Sequence, residues 1–144
     1  MANLLSLIKL RRHNVDEKQK ALAELYRQIE TIERNKQILT DRLREEREIL
    51  DQNATLEMYA YFGRFSQNIH RSLERMNQEK AKLEIRVQIA QDDVREAFAN
   101  VKRIEIVQEA RANADKKAQA DKEGREMDDI GVEGFRRKEE DGDY

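Results

Sequence analysis

The sequence predicts an all-α protein, a long two-helix antiparallel coiled coil (a helical hairpin) followed by a disordered C-terminal tail. Three observations predict it. Apolar residues recur every seven positions over two long stretches, in different phases. The five glycines are confined to one central position and the C-terminal end. Charged residues make up 40% of the 144, and proline is absent. Such a composition suits long solvated helices, and its 38% of hydrophobic residues is meagre for a compact globular core. A helix pair needs only an apolar stripe, for which that fraction suffices.

The first helix is expected over about 4–52. Counted by sevens from Ile8, the positions are Ile8, Val15, Leu22, Ile29, Lys36, Leu43 and Leu50. Their companions three residues on are Arg11, Lys18, Leu25, Ile32, Leu39, Glu46 and Asn53, with Leu4 one heptad earlier. A strict seven-residue repeat favours a left-handed supercoil seam over the broader, drifting face of a helix on a globular core. Lys36 interrupts the apolar series. It is either a polar residue that sets the register or a packing compromise.

A second helix is expected over about 66–120, with Ser66 a candidate cap. Its seam runs through Ile69, Met76, Leu83, Ala90, Ala97 and Ile104, with Leu73, Lys80, Val87, Val94 and Val101 as companions. Alanines let a partner helix approach closely, and the leucine-rich layers of the first helix could fill that space. The two seams suit each other, although homodimers of each helix would also use them.

The reversal is expected within 51–66. The heptads lapse there, Asp51-Gln-Asn-Ala-Thr55 offers turn and capping residues, Gly63 breaks the middle of the chain, and a short helical turn from Leu56 to Phe62 fits within the reversal. Residues 1–120 thus form the hairpin, and 121–144 form a flexible acidic tail. That tail holds four glycines and ten acidic against five basic residues, with Phe135-Arg-Arg-Lys138 as its one docking-like feature.

Catalysis requires groups converging in a concave, partly dry site, and a two-helix rod has none, so no enzyme is expected. Glu45, Glu46 and Glu48 read as a solvated face. With no cysteine, and with His13 and His70 on different helices, no metal site and no cofactor are expected. A net charge of −2 argues against nucleic acid as the partner. The apolar start of the chain is cut short by Lys9, Arg11 and Arg12, too early for a signal peptide or a membrane span. The basic residues there, with Lys18 and Lys20, are either solvated or face an acidic protein.

The sharpest anomaly is aromatic. Tyr59, Tyr61, Phe62 and Phe65 fall within seven residues, whereas four aromatics serve the rest of the chain. They either cap the hairpin core where the helices splay or form an exposed protein-binding hot spot, and a narrow tip can hardly bury four rings.

The opening Leu5-Ser-Leu-Ile-Lys-Leu-Arg-Arg-His13-Asn-Val-Asp-Glu-Lys18, the aromatic central break, and a tail with Met127-Asp-Asp-Ile130 and Phe135-Arg-Arg-Lys138 together resemble the flagellar type III export stalk proteins of the FliJ family. The resemblance spans nearly the whole chain. It implies a monomeric antiparallel coiled coil similar to the central stalk of rotary ATPases, which also acts as a chaperone and escort factor. Implied partners are the flagellar export ATPase ring, the cytoplasmic domain of the export gate and export chaperones, with no membrane insertion. The implied location is the cytoplasm, at the cytoplasmic face of the inner membrane beneath the flagellum. Carried onto this chain, Leu5, Ile8, Arg11, Arg12 and Val15 would face the ATPase ring, opposite residues near 111–120. Tyr59, Phe62, Phe65 and Ile69 would face the gate. The same fold also serves virulence-type secretion systems, and a generic parallel scaffold is a further alternative, against which Gly63 and the heptad lapse argue.

Overall fold

The computed structural model describes residues 2–52 and 55–142. Asn53 and Ala54 of the expected turn, and Tyr144 of the tail, lie outside the described residues. Two α-helices account for nearly everything described: α1, Ala2–Gln52, and α2, Leu56–Gly142. No strand occurs among the described residues. The chain divides into two compact units, Arg11–Phe98 and Met1–Leu10 with Ala99–Tyr144.

The heptad pattern is what each helix buries. In α1 every position of the alternating four-and-three spacing from Leu4 to Leu50 is buried or half-buried, except exposed Arg11. In α2 the same spacing holds without a lapse from Phe62 to Gln108. The most deeply buried residues, Ile8, Val15, Leu50, Ile69, Leu83, Val87, Ala97 and Val101, are all seam positions. Removing a Leu, Ile or Val side chain of this kind from water contributes about 1.5–3 kcal/mol.

Within the Arg11–Phe98 unit the helices run antiparallel. Tyr26 on α1 accepts a hydrogen bond from Gln91 on α2 at 2.8 Å, Glu33 meets Lys80 at 2.7 Å, and Arg42 lies over the Phe65 ring. The α2 partner number falls as the α1 number rises, which only opposite directions allow. The two seams are therefore paired with each other inside one chain.

The interruption at Lys36 belongs to a polar layer. Glu33 Oε1 lies 3.4 Å from Lys36 Nζ and 2.7 Å from Lys80 Nζ, and Lys80 also approaches Glu84 at 3.7 Å. Lys36 and Lys80 are both seam positions, so the layer is satisfied in the register that sets Glu33 opposite Lys80. The contact across the seam is Glu33–Lys80, while Lys36 pairs with Glu33 along its own helix, so both readings of Lys36 stay open.

The connection differs from expectation in detail. α2 begins at Leu56, not near 66, and Thr55 is its cap: its hydroxyl accepts from Met58 N–H at 3.3 Å, and its carbonyl accepts from Tyr59 N–H at 3.1 Å. Gly63 is neither a break nor a turn residue. It sits inside α2, with no positive φ and no atom within 4 Å of where a Cβ would be. Ser66 is a half-buried seam residue, not a cap. One glycine costs a helix about 1 kcal/mol, too little to interrupt a seam that continues on both sides of it.

At the other end the helical backbone continues to Gly142, through residues where the composition suggests a flexible tail. Every described side chain from Glu109 onward is exposed. Helical hydrogen bonds are local, so the backbone groups of that stretch are paired within it.

Candidate functional site

The candidate surfaces follow from where the seam stops covering apolar side chains. At the connected end of the Arg11–Phe98 unit, Thr55 fixes the start of α2 and so sets the direction in which its first turns present their side chains. Phe65 is half-buried, stacked on Tyr61 with ring centroids 6.1 Å apart and planes at 14°, and Arg42 Cζ stands 5.6 Å from its centroid. Phe62, also half-buried, lines a pocket of about 110 Å³ with Ile49, Leu50, Met58 and Tyr61. Tyr59 and Tyr61 remain 55% and 56% exposed. Ile69 is only 6% exposed, inside the seam.

The four aromatics thus divide the two readings between them. Phe62 and Phe65 close the end of the helix pair, whereas Tyr59 and Tyr61 face solvent. The structure adds Ile49, Leu56 and Met58, all exposed apolar residues near the same end. A signal for Ile49 exists in the sequence, since it is apolar yet out of phase with the seam residue Leu50. For Leu56 and Met58 no periodic signal exists, because they precede the point where the α2 seam starts.

In the unit that contains Met1–Leu10, Leu5 is 55% exposed and Ile8 is 3% exposed. Leu4 and Leu5 line an open groove of about 220 Å³ with Gln108, Arg111, Ala112 and Asp115. Leu10, which the heptad reading passed over, is exposed and out of seam phase. In the Arg11–Phe98 unit, Arg11 and Arg12 are exposed and Val15 is 6% exposed. Ile8, Val15 and Ile69 are therefore buried. Leu5, Arg11, Arg12, Tyr59 and, in part, Phe62 and Phe65 are reachable by a partner.

Glu33 and Lys80 form an ion pair between the helices at 2.7 Å. Lys80, donating to Glu33, holds that carboxyl below its ordinary range; partial desolvation opposes the shift and Lys36 adds to it. Glu33 in turn raises Lys80 above the ordinary lysine value. His13 lies 3.7 Å from Glu17 one turn on, an exposed local contact. Among the described residues no three His, Cys, Asp or Glu side chains come together as metal ligands. No described helix is long and apolar enough to cross a membrane. The arrangement leaves apolar and basic side chains exposed at the surface.

In comparison with known families, the family described as "Flagellar FliJ protein" matches residues 1–140. No curated protein and no solved structure matches the chain.

Proposed function

The chain belongs to the FliJ family of flagellar proteins, a component of flagellar type III export, and from that premise we propose that it is the non-enzymatic central stalk and adaptor of the export apparatus. In this reading the terminal end engages the export ATPase ring, with Leu5, Arg11 and Arg12 as contacts and Ile8 and Val15 holding the helix beneath them. The connected end engages the cytoplasmic domain of the export gate through Tyr59 and the outer edges of Phe62 and Phe65, with Ile69 as support. Export chaperones are further partners, and the protein acts as a monomer. It associates peripherally with the cytoplasmic face of the inner membrane at the flagellar base. Residues from 121 onward act as a separate segment that does not contribute to the hairpin's packing.

The observation that carries the reading is the cluster of solvent-facing apolar and aromatic side chains beside the α1–α2 connection, from Ile49 to Tyr61. Exposed tyrosines of this kind supply large, rigid contact area, and aromatic anchors dominate protein interfaces. A helix pair whose apolar stripe is satisfied internally has no folding reason to expose them.

The test has two arms. ATP hydrolysis by a purified flagellar export ATPase, titrated with the protein, should rise saturably. The gain should be lost with a seam-disrupted variant carrying Val87→Asp. Binding to the isolated cytoplasmic domain of the gate should weaken by about ten-fold with Tyr59→Ser and Tyr61→Ser, at unchanged helicity. An ATPase that forms rings yet ignores the protein would refute the stalk role. Unaltered gate binding by the tyrosine variant would move the gate contact elsewhere.

A further inference from the structure

A second four-and-three stripe runs along α2, on a face other than the seam. It comprises Arg64, Asn68, Arg71, Arg75, Gln78, Lys82, Ile85 and Ile89, all exposed. No carboxylate occupies any of its positions. None of Arg64, Arg71, Arg75 or Lys82 has an ion-pair partner among the described residues. Arg27, Arg44 and Arg95 in the same unit are each held by an acid three residues earlier at 2.8, 2.6 and 3.2 Å, whereas the stripe's own positions carry cations and no acid. In a chain with net charge −2, four unpaired cations in one heptad register are a concentration that folding does not use.

The stripe is also shaped. Arg71, Arg75 and Gln78 border an open groove of about 470 Å³. Lys82 borders another of about 460 Å³, whose lining includes the seam residues Ile32 and Leu83. At the C-terminal end of the stripe, Ile85 and Ile89 lie one turn apart, 59% and 57% exposed.

We propose that this stripe of α2, Arg64 to Ile89, docks an acidic amphipathic helix of a partner protein. The repeat decides for a helix: a seven-residue period on one helix is matched along its length by the same period on another. Charge decides for acid, with carboxylates opposite Arg64, Arg71, Arg75 and Lys82 and an aliphatic pair over Ile85 and Ile89. The rim decides against a continuous polyanion. Glu74 lines the first groove, and Glu24 and Glu79 line the second, so an unbroken row of phosphates would meet repulsion where a helix with spaced carboxylates would not. The stripe extends over roughly 38 Å of α2, so the partner segment is a helix of roughly 25 residues.

The probe is a fluorescent helical peptide of roughly 25 residues on an alanine background, with glutamates in a four-and-three repeat and two leucines at one end. Its anisotropy is followed on titration with the full chain. Saturable binding of one peptide per chain is expected, weakened about ten-fold or more by Arg71→Glu, Arg75→Glu and Lys82→Glu together, with the melting temperature unchanged. The glutamine triple variant should fall between, and Ile85→Ala with Ile89→Ala should weaken binding independently of salt. Reversal of Lys20 and Arg34 on α1 is the control. The proposal is overturned if that control weakens binding equally or if a lysine version of the peptide binds as well. It is also overturned if phosphatidylcholine–phosphatidylglycerol vesicles or a single-stranded DNA oligonucleotide bind more tightly than the peptide.

Discussion

Glu33 accepts from a lysine of each helix, and its protonation decides whether the polar layer exists. Its folded pKa is lowered, chiefly by Lys80, so its contribution is present above the ordinary carboxylate value and is lost as pH falls through the lowered one. Lys80 is raised by Glu33, so its contribution is complete below the ordinary lysine value and disappears only as pH rises through the raised one. Between these limits, neutral pH included, the pair is intact. Thermal melting of Glu33→Gln against the parent protein should therefore differ near neutrality and converge in acid. A difference that persists in acid would mean that the pair does not titrate as the geometry requires. Lys36 is the more dispensable cation, because Lys80 keeps Glu33 satisfied without it. Lys36→Leu should raise stability by about 1–2 kcal/mol in denaturant unfolding, by extending the apolar seam. In the aromatic cluster, Phe65→Ala should cost about 1–2 kcal/mol, since it removes both the Tyr61 stack and the Arg42 contact. Tyr59→Ala should stay within about 0.5 kcal/mol of the parent, as exposed sites do.

At the scale of the helix, the start of α2 shows how small local terms compete. Thr55 satisfies one of the free N–H groups of the first turn through its hydroxyl, while Gly63 weakens the helix eight residues later. Thr55→Ala should destabilise by about 1 kcal/mol. Gly63→Ala should stabilise by about 0.5–1 kcal/mol, because the backbone is already helical and the added methyl meets open space. Were Gly63 a hinge, the same substitution would destabilise, so the sign of the change decides. The seam itself is less forgiving. Val87→Asp places a carboxylate at a position that is 8% exposed, without a partner, and should cost several kcal/mol.

At the scale of the whole chain, the buried residues end long before α2 does. Deleting the residues from 121 onward removes no buried side chain among the described residues and should leave the melting temperature nearly unchanged, an effect of about 0.5 kcal/mol or less. A large drop would show that the tail contributes packing. Because each helix finds its partner in the same chain, light scattering should give a mass near 17.1 kDa at micromolar concentration. A parallel dimer would give twice that.

The fold class and the seam residues are legible in the order of amino acids, whereas the antiparallel direction is read from contacts such as Glu33–Lys80. The first two rest on a period that repeats often enough for no single residue to matter: Ile8, Val15, Leu50, Ile69, Leu83, Val87, Ala97 and Val101 are buried because they share a phase. Ile8, Val15 and Ile69, which the family resemblance makes partner contacts, are buried in the structure. The density of aromatics locates the cluster at 59–65, though not its division into closing rings and solvent-facing ones. Where α2 starts, which lysine meets Glu33 across the seam and which apolar residues stay uncovered emerge only on folding. Each of those outcomes hangs on about 1 kcal/mol: a threonine cap against a glycine, a cation's partner on the opposite helix, a ring's contact with an arginine. Terms of that size are settled by which side chain lies across the seam, and sequence order alone does not place residue 80 beside residue 33.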